Sequence, residues 1–168
     1  TNSLPAIKKL FINGHEFNLW IRKLNYYDSL RQEIMQVLVA MKNQQASDLL
    51  SQLLPVTQSP KELGTLCKIL LSISDGYRPY CVKAAREMYD QRIQKQKEIG
   101  DAAKEKEIRD QIRSLNNQND PKNEEEIKRL YELRSKISGN HSEILSLINI
   151  FIFTLKDKDL SLDRKSVV

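Results

Sequence analysis

The chain predicts an all-α fold. Only 5 Gly and 5 Pro interrupt its 168 residues, helix formers dominate the rest, and the alternating Val/Thr-rich runs that strands favour are nearly absent. Apolar residues recur instead three and four positions apart, which places them on one side of a helix. The predicted architecture is a helical bundle of six or seven helices with a long charged antiparallel helical hairpin at about residues 80–138.

Residues 1–13 hold an apolar triplet, Leu10-Phe11-Ile12, ahead of the turn signal Asn13-Gly14. Phe17, Trp20, Ile21 and Leu24 then share one helical face, and Asn25-Tyr26-Tyr27 closes that helix. Asp28 can cap a second helix carrying Leu30, Ile34, Val37, Leu38 and Met41 to about Gln45. Ser47 is expected to cap a short third helix with Leu49, Leu50, Leu53 and Leu54, limited by Pro55.

Ser59-Pro60-Lys61-Glu62 is the clearest helix start. Serine accepts from the third amide, proline suits the first position, and glutamate reaches back to the cap amide. Leu63, Leu66, Cys67, Leu70 and Leu71 follow on one face, and Asp75-Gly76 supplies the stop, with glycine free to turn left-handed.

Pro79 opens a long fifth helix in which Val82, Ala85, Met88, Tyr89 and Ile93 are core-facing. Its apolar stripe then thins to Ile99, Ala103, Ile108, Ile112 and Leu115, too irregular for a coiled-coil heptad. Gly100, inside this stretch, marks a bend or a close helix crossing. After Asn116–Asn123 a return helix starts with Glu124, Glu125 and Glu126, which complement the positive end of the helix dipole. Ile127, Leu130, Tyr131, Leu133 and Ile137 form its apolar side. Gly139 is expected to end it, and Asn140-His141-Ser142-Glu143 to cap one more helix. That last helix, Ile144 to Leu155, is apolar all round and so is expected to be central and buried; it is too short to span a bilayer.

At 19.5 kDa the whole chain, 1–168, reads as a single helical domain. A body of about 10–92 plus 140–156 carries an inserted helical hairpin at about 93–138 and a tail at 157–168. The apolar fraction of 40% and charged fraction of 29% exclude disorder by composition. Thr1 is not an initiator residue, and a piece of a longer protein is the expectation; no signal peptide is visible. With two cysteines and no membrane span, an intracellular setting, cytoplasmic or nuclear, is expected.

The chemistry-bearing residues are sparse. His15 and His141 each lie beside an expected helix start, away from each other and from any cysteine, so no metal is expected. Cys67 and Cys81 flank the Asp75-Gly76 turn and read first as small buried apolar side chains, with a bridge or a reactive thiol as the alternative. Carboxylates sit in charge-mixed helices, and the dispersed glycines form no phosphate-cradling loop. No enzyme activity and no cofactor are expected.

The net charge of +5 permits acidic partners without demanding them. The function expected is a non-catalytic helical scaffold or adaptor that binds protein partners within a larger assembly. Arg92, Lys95, Arg109, Arg113, Lys128, Arg129 and Arg134 are its candidate partner-binding residues. The alternative is a nucleic-acid-binding structural protein, of viral or nucleoid type. It would use Arg78, Lys83, Arg86 and Arg92 on phosphate, with Tyr77, Tyr80 and Tyr89 interleaved. Lys8, Lys9, Arg22, Lys23 and Arg31 form a weaker basic group. Self-association is a further expectation, through Trp20, the Phe151–Phe153 segment or the hairpin.

Overall fold

Ser59 begins its helix as its sequence context requires: its extended backbone turns the side-chain oxygen onto the Glu62 amide at 3.2 Å, and Pro60 takes the first helical position. The Glu62 carboxylate reaches back one residue further than expected, accepting from the Gln58 amide at 2.9 Å. The chain is seen in a computed structural model, which describes residues 33, 36–38, 40–41, 44–118 and 120–156. Among these residues it is all-α, with no strand. The helices are α1 (Gln44–Leu53), α2 (Pro60–Ile73), α3 (Arg78–Ile99), α4 (Ala102–Asn117) and α5 (Glu124–Asn149), followed by a π-helical segment, Ile150–Leu155. The helix expected around Phe17, Trp20, Ile21 and Leu24, the tail at 157–168 and His15 lie outside the described residues, as does most of the helix expected after Asp28.

Two compact units divide the chain. The first runs to Ala84 and includes Thr154–Lys156. Here α1 packs on α2. Leu49, Leu50 and Leu53 face inward from one, Leu63, Leu66, Cys67 and Leu70 from the other, in the i, i+3, i+4 pattern of paired amphipathic helices. Ser47 does not cap α1: it lies within the helix and is buried. Pro55 converts the end of α1 into a single 3-10 turn, Leu54–Val56.

The stop after α2 is made by Ser74, not by a left-handed glycine. Extended Ser74 donates its amide to the Leu70 carbonyl and accepts the Gly76 amide on its hydroxyl, and Gly76 lies in the 3-10 turn Asp75–Tyr77. On either side of that turn, Cys67 on α2 and Cys81 on α3 are both fully buried free thiols. Arg78 bonds the Asp75 carboxylate and the Leu155 carbonyl.

The second unit contains Ala85–Phe153. Gly100 breaks the expected long helix in two. Its φ of +114° is open to glycine and strained for other residues, and Asp101 then caps α4 by accepting from the Lys104 amide at 3.0 Å. The opposite happens at Gly139, where the expected helix end is absent: α5 runs through Gly139 and Asn140 to Asn149. Asn140 is therefore no cap. It is 3% exposed and donates its side-chain amide to the Arg92 carbonyl on α3 at 2.9 Å. His141 is likewise an interior, partly buried residue of α5. Tertiary burial outweighs the roughly 1 kcal/mol that an interior glycine costs.

Phe151 is fully buried and meets the Tyr89 ring edge to face, with centroids 6.3 Å apart. The segment after Ile144 is not buried all round, as its composition suggested. Ile144, Leu147, Ile148 and Phe151 point inward, whereas Leu145 is exposed and Phe153 is 71% exposed.

Candidate interaction surface

Helix α4 and the first half of α5 pack along each other in the second unit. Ile108 and Ile112 from α4 meet Leu130 and Ile137 from α5, and Ile99, Leu115 and Leu133 border them. Each helix contributes one narrow apolar edge, because i, i+4 spacing on α4 and i, i+7 spacing on α5 keep the residues on one line. The other sides are charged. Tyr131, expected on the apolar side, is 49% exposed.

Glu105 ties the two helices together. Its Oε1 accepts from Arg109 Nη2 at 3.1 Å, one turn along α4, and from Arg134 Nε at 3.2 Å across on α5. Partial burial pushes the Glu105 carboxyl up, but the Arg134 and Arg109 guanidiniums outweigh it and hold the carboxyl below its ordinary range. Arg113–Asp110 and Arg129–Glu126 are looser, each at 3.7 Å, with Arg113 and Arg129 side chains 72% and 81% exposed. Lys122, Glu125, Glu126, Lys128, Arg129 and Glu132 surround a shallow open hollow on α5 and the turn before it.

The candidate partner-binding residues thus fall into distinct settings. Arg92 is turned inward, 2.6 Å from the Glu143 carboxylate, with Nε–H out of line for a good hydrogen bond. Lys95 is exposed on α3. Arg109 and Arg134 converge on Glu105, and Arg113, Lys128 and Arg129 face solvent.

Of the candidate phosphate contacts, Arg78 and Lys83 belong to the first unit and Arg86 and Arg92 to the second. Arg78 is engaged by Asp75 and the Leu155 carbonyl, while Lys83 and Arg86 are exposed. Tyr77 directs its hydroxyl to Asp48, Tyr80 is exposed and Tyr89 is buried. Lys8, Lys9, Arg22, Lys23 and Arg31, and Trp20 with them, lie outside the described residues.

Sequence reasoning missed Glu105 as the organising residue. Its i, i+4 relation to Arg109 was visible in the sequence, but the link to Arg134 requires the helices to be side by side.

Among the described residues, no group of three or more His, Cys, Asp or Glu is placed to hold a metal ion. No described helix is long and apolar enough to cross a membrane. No family model, curated protein or solved structure matches the chain.

Proposed function

We propose that this chain is a non-catalytic helical scaffold module within a larger protein assembly, and that the charged α4–α5 hairpin is the surface it presents. The observation that carries this reading is the division of labour among the hairpin's cations. The Glu105 pairs hold register, while Arg113 and Arg129, on long, exposed pairs, are available to exchange partners. An exposed pair contributes about 0–1 kcal/mol, so replacing it with a contact to another protein costs little. Tyr131, half-exposed and next to Glu132 and Leu130, supplies the aromatic anchor that interfaces favour. Docking buries that ring, and the surrounding charges select partner and orientation.

The test is affinity capture from the native host with the wild type and with a Tyr131→Ala/Arg129→Glu variant that leaves Glu105, Arg109 and Arg134 intact. A protein that stays bound at high salt with the wild type and is lost with the variant is the expected result. Recovery of nucleic acid that washes off at high salt, with no retained protein, would overturn the proposal in favour of phosphate binding.

A further inference from the structure

The outer face of α5 is not the charged surface that a water-facing helix side usually carries. The buried side of the helix runs through Leu130, Ile137, Ile144, Leu147 and Ile148. Opposite it, Tyr131, Leu145 and Phe153 stand exposed along one line, spaced in steps that keep to one helical face. The positions between them, Ser135, Ser138, Gly139, Ser142, Ser146 and Asn149, are small or uncharged and also exposed. No charged residue falls on the line between Tyr131 and Phe153. Large apolar groups and an absence of charge mark the centre of an interface.

The face is also cheap to cover. The Ser146 hydroxyl already donates to the Ser142 carbonyl at 2.9 Å, so burial takes no hydrogen bond from it. A Cβ added at Gly139 would meet nothing within 4 Å, which leaves a bare notch in the surface.

The order of these residues says what fits. Tyr131 and Phe153 lie equally far to either side of Ser142, and so do Gly139 and Leu145. A two-fold axis at Ser142 therefore lays a second α5 antiparallel on the first. Each Leu145 then enters the other copy's Gly139 notch, and each Phe153 meets the other copy's Tyr131. Ser138 faces Ser146, Ser135 faces Asn149, and no charges oppose. An isologous interface demands this self-complementarity, and an unrelated partner does not. The contact would run about 33 Å along the helix and about 10 Å across it. Counting both copies, roughly 700 Å² leaves water, below the ~1,200 Å² of stable complexes, so the dimer is reversible and concentration-dependent.

We propose that the outer face of α5 is a homodimer interface in which two copies of this chain pack α5 on α5, antiparallel, about an axis at Ser142. This rests on the reading of α5 as a presented surface and names a second copy as the protein that buries Tyr131. Arg129, two positions before Tyr131, points to another side of the helix and stays outside the contact.

The full chain is followed by sedimentation equilibrium over a concentration series, at low and high salt. A monomer–dimer equilibrium that high salt does not weaken is expected, because the contact is uncharged. Leu145→Lys, with helicity unchanged by circular dichroism, should weaken dimerisation about tenfold or more. Mild oxidation of Ser142→Cys should give a covalent dimer, since that position meets itself at the axis. Ser138→Cys should link only when mixed with Ser146→Cys. The wild type is the control, because Cys67 and Cys81 are buried. A chain that stays monomeric up to about 1 mM would overturn the proposal. If capture from the host still retained another protein through Tyr131, the scaffold reading would survive that result. Ready linking of Ser138→Cys to itself would point to parallel helices and sink the inference. So would a dimer indifferent to Leu145→Lys, or a photo-crosslinker at position 142 that labels residues 1–32 of its own chain.

Discussion

Two glycines with the same side chain carry opposite requirements. A Cβ added at Gly100 would lie 2.8 Å from both Cβ and Cγ of Lys104, and the backbone there has φ +114°. At Gly139 it would meet nothing within 4 Å, in the middle of a helix. Gly100→Ala should therefore cost about 1–2 kcal/mol, through a conformation that L-residues avoid. Gly139→Ala should stabilise by up to about 1 kcal/mol, because it restricts the unfolded chain and suits the helix. Urea denaturation of both variants decides this, and equal effects of the same sign would rule out the break at Gly100. The pair also shows the limit of local signals. Glycine marks a place where a helix can end. Whether it does depends on neighbours such as Asn140, whose buried amide bonds a carbonyl of α3.

At the scale of elements, the local chemistry that was legible joins residues close in sequence, although the Ser74 stop and the Asp101 cap, equally local, were not foreseen. The Ser59 cap, the Pro55 stop and the Glu105–Arg109 pair are of this kind. The second Glu105 bond, to Arg134, spans 29 positions and appears only when α4 and α5 are side by side. That bond makes a pH prediction. Because the Glu105 carboxyl is depressed in the fold below its ordinary value of 4.5, its contribution is complete above that value and is lost as pH falls through the lowered one. Glu105→Gln should destabilise by about 1 kcal/mol at neutral pH. Its stability curve should merge with that of the wild type in acid. Thermal melts across pH 2–7 measure this, and a gap that persists unchanged in acid would show that charge is not what joins the helices.

Across the whole molecule, the composition already called for all-α structure with an apolar interior, and the described residues have it. What composition cannot assign is direction. The run Ile150-Phe151-Ile152-Phe153 is apolar throughout, yet the structure buries Phe151 completely and leaves Phe153 71% exposed. Phe151→Ala should cost about 3–5 kcal/mol, because it empties a packed site against Tyr89. Phe153→Ser should cost about 0.5 kcal/mol or less. Chemical denaturation of the two variants, with matching losses, would disprove the assignment of faces. The sequence by itself determined the class of fold, the Ser59 helix start and the placement of charge along the helices, since propensity, capping and periodicity act over a few residues. Only tertiary structure decided that α5 passes through Gly139, that Glu105 joins two helices and that Asn140 is buried against the Arg92 carbonyl. Each depends on groups distant in the chain, whose proximity no local pattern encodes.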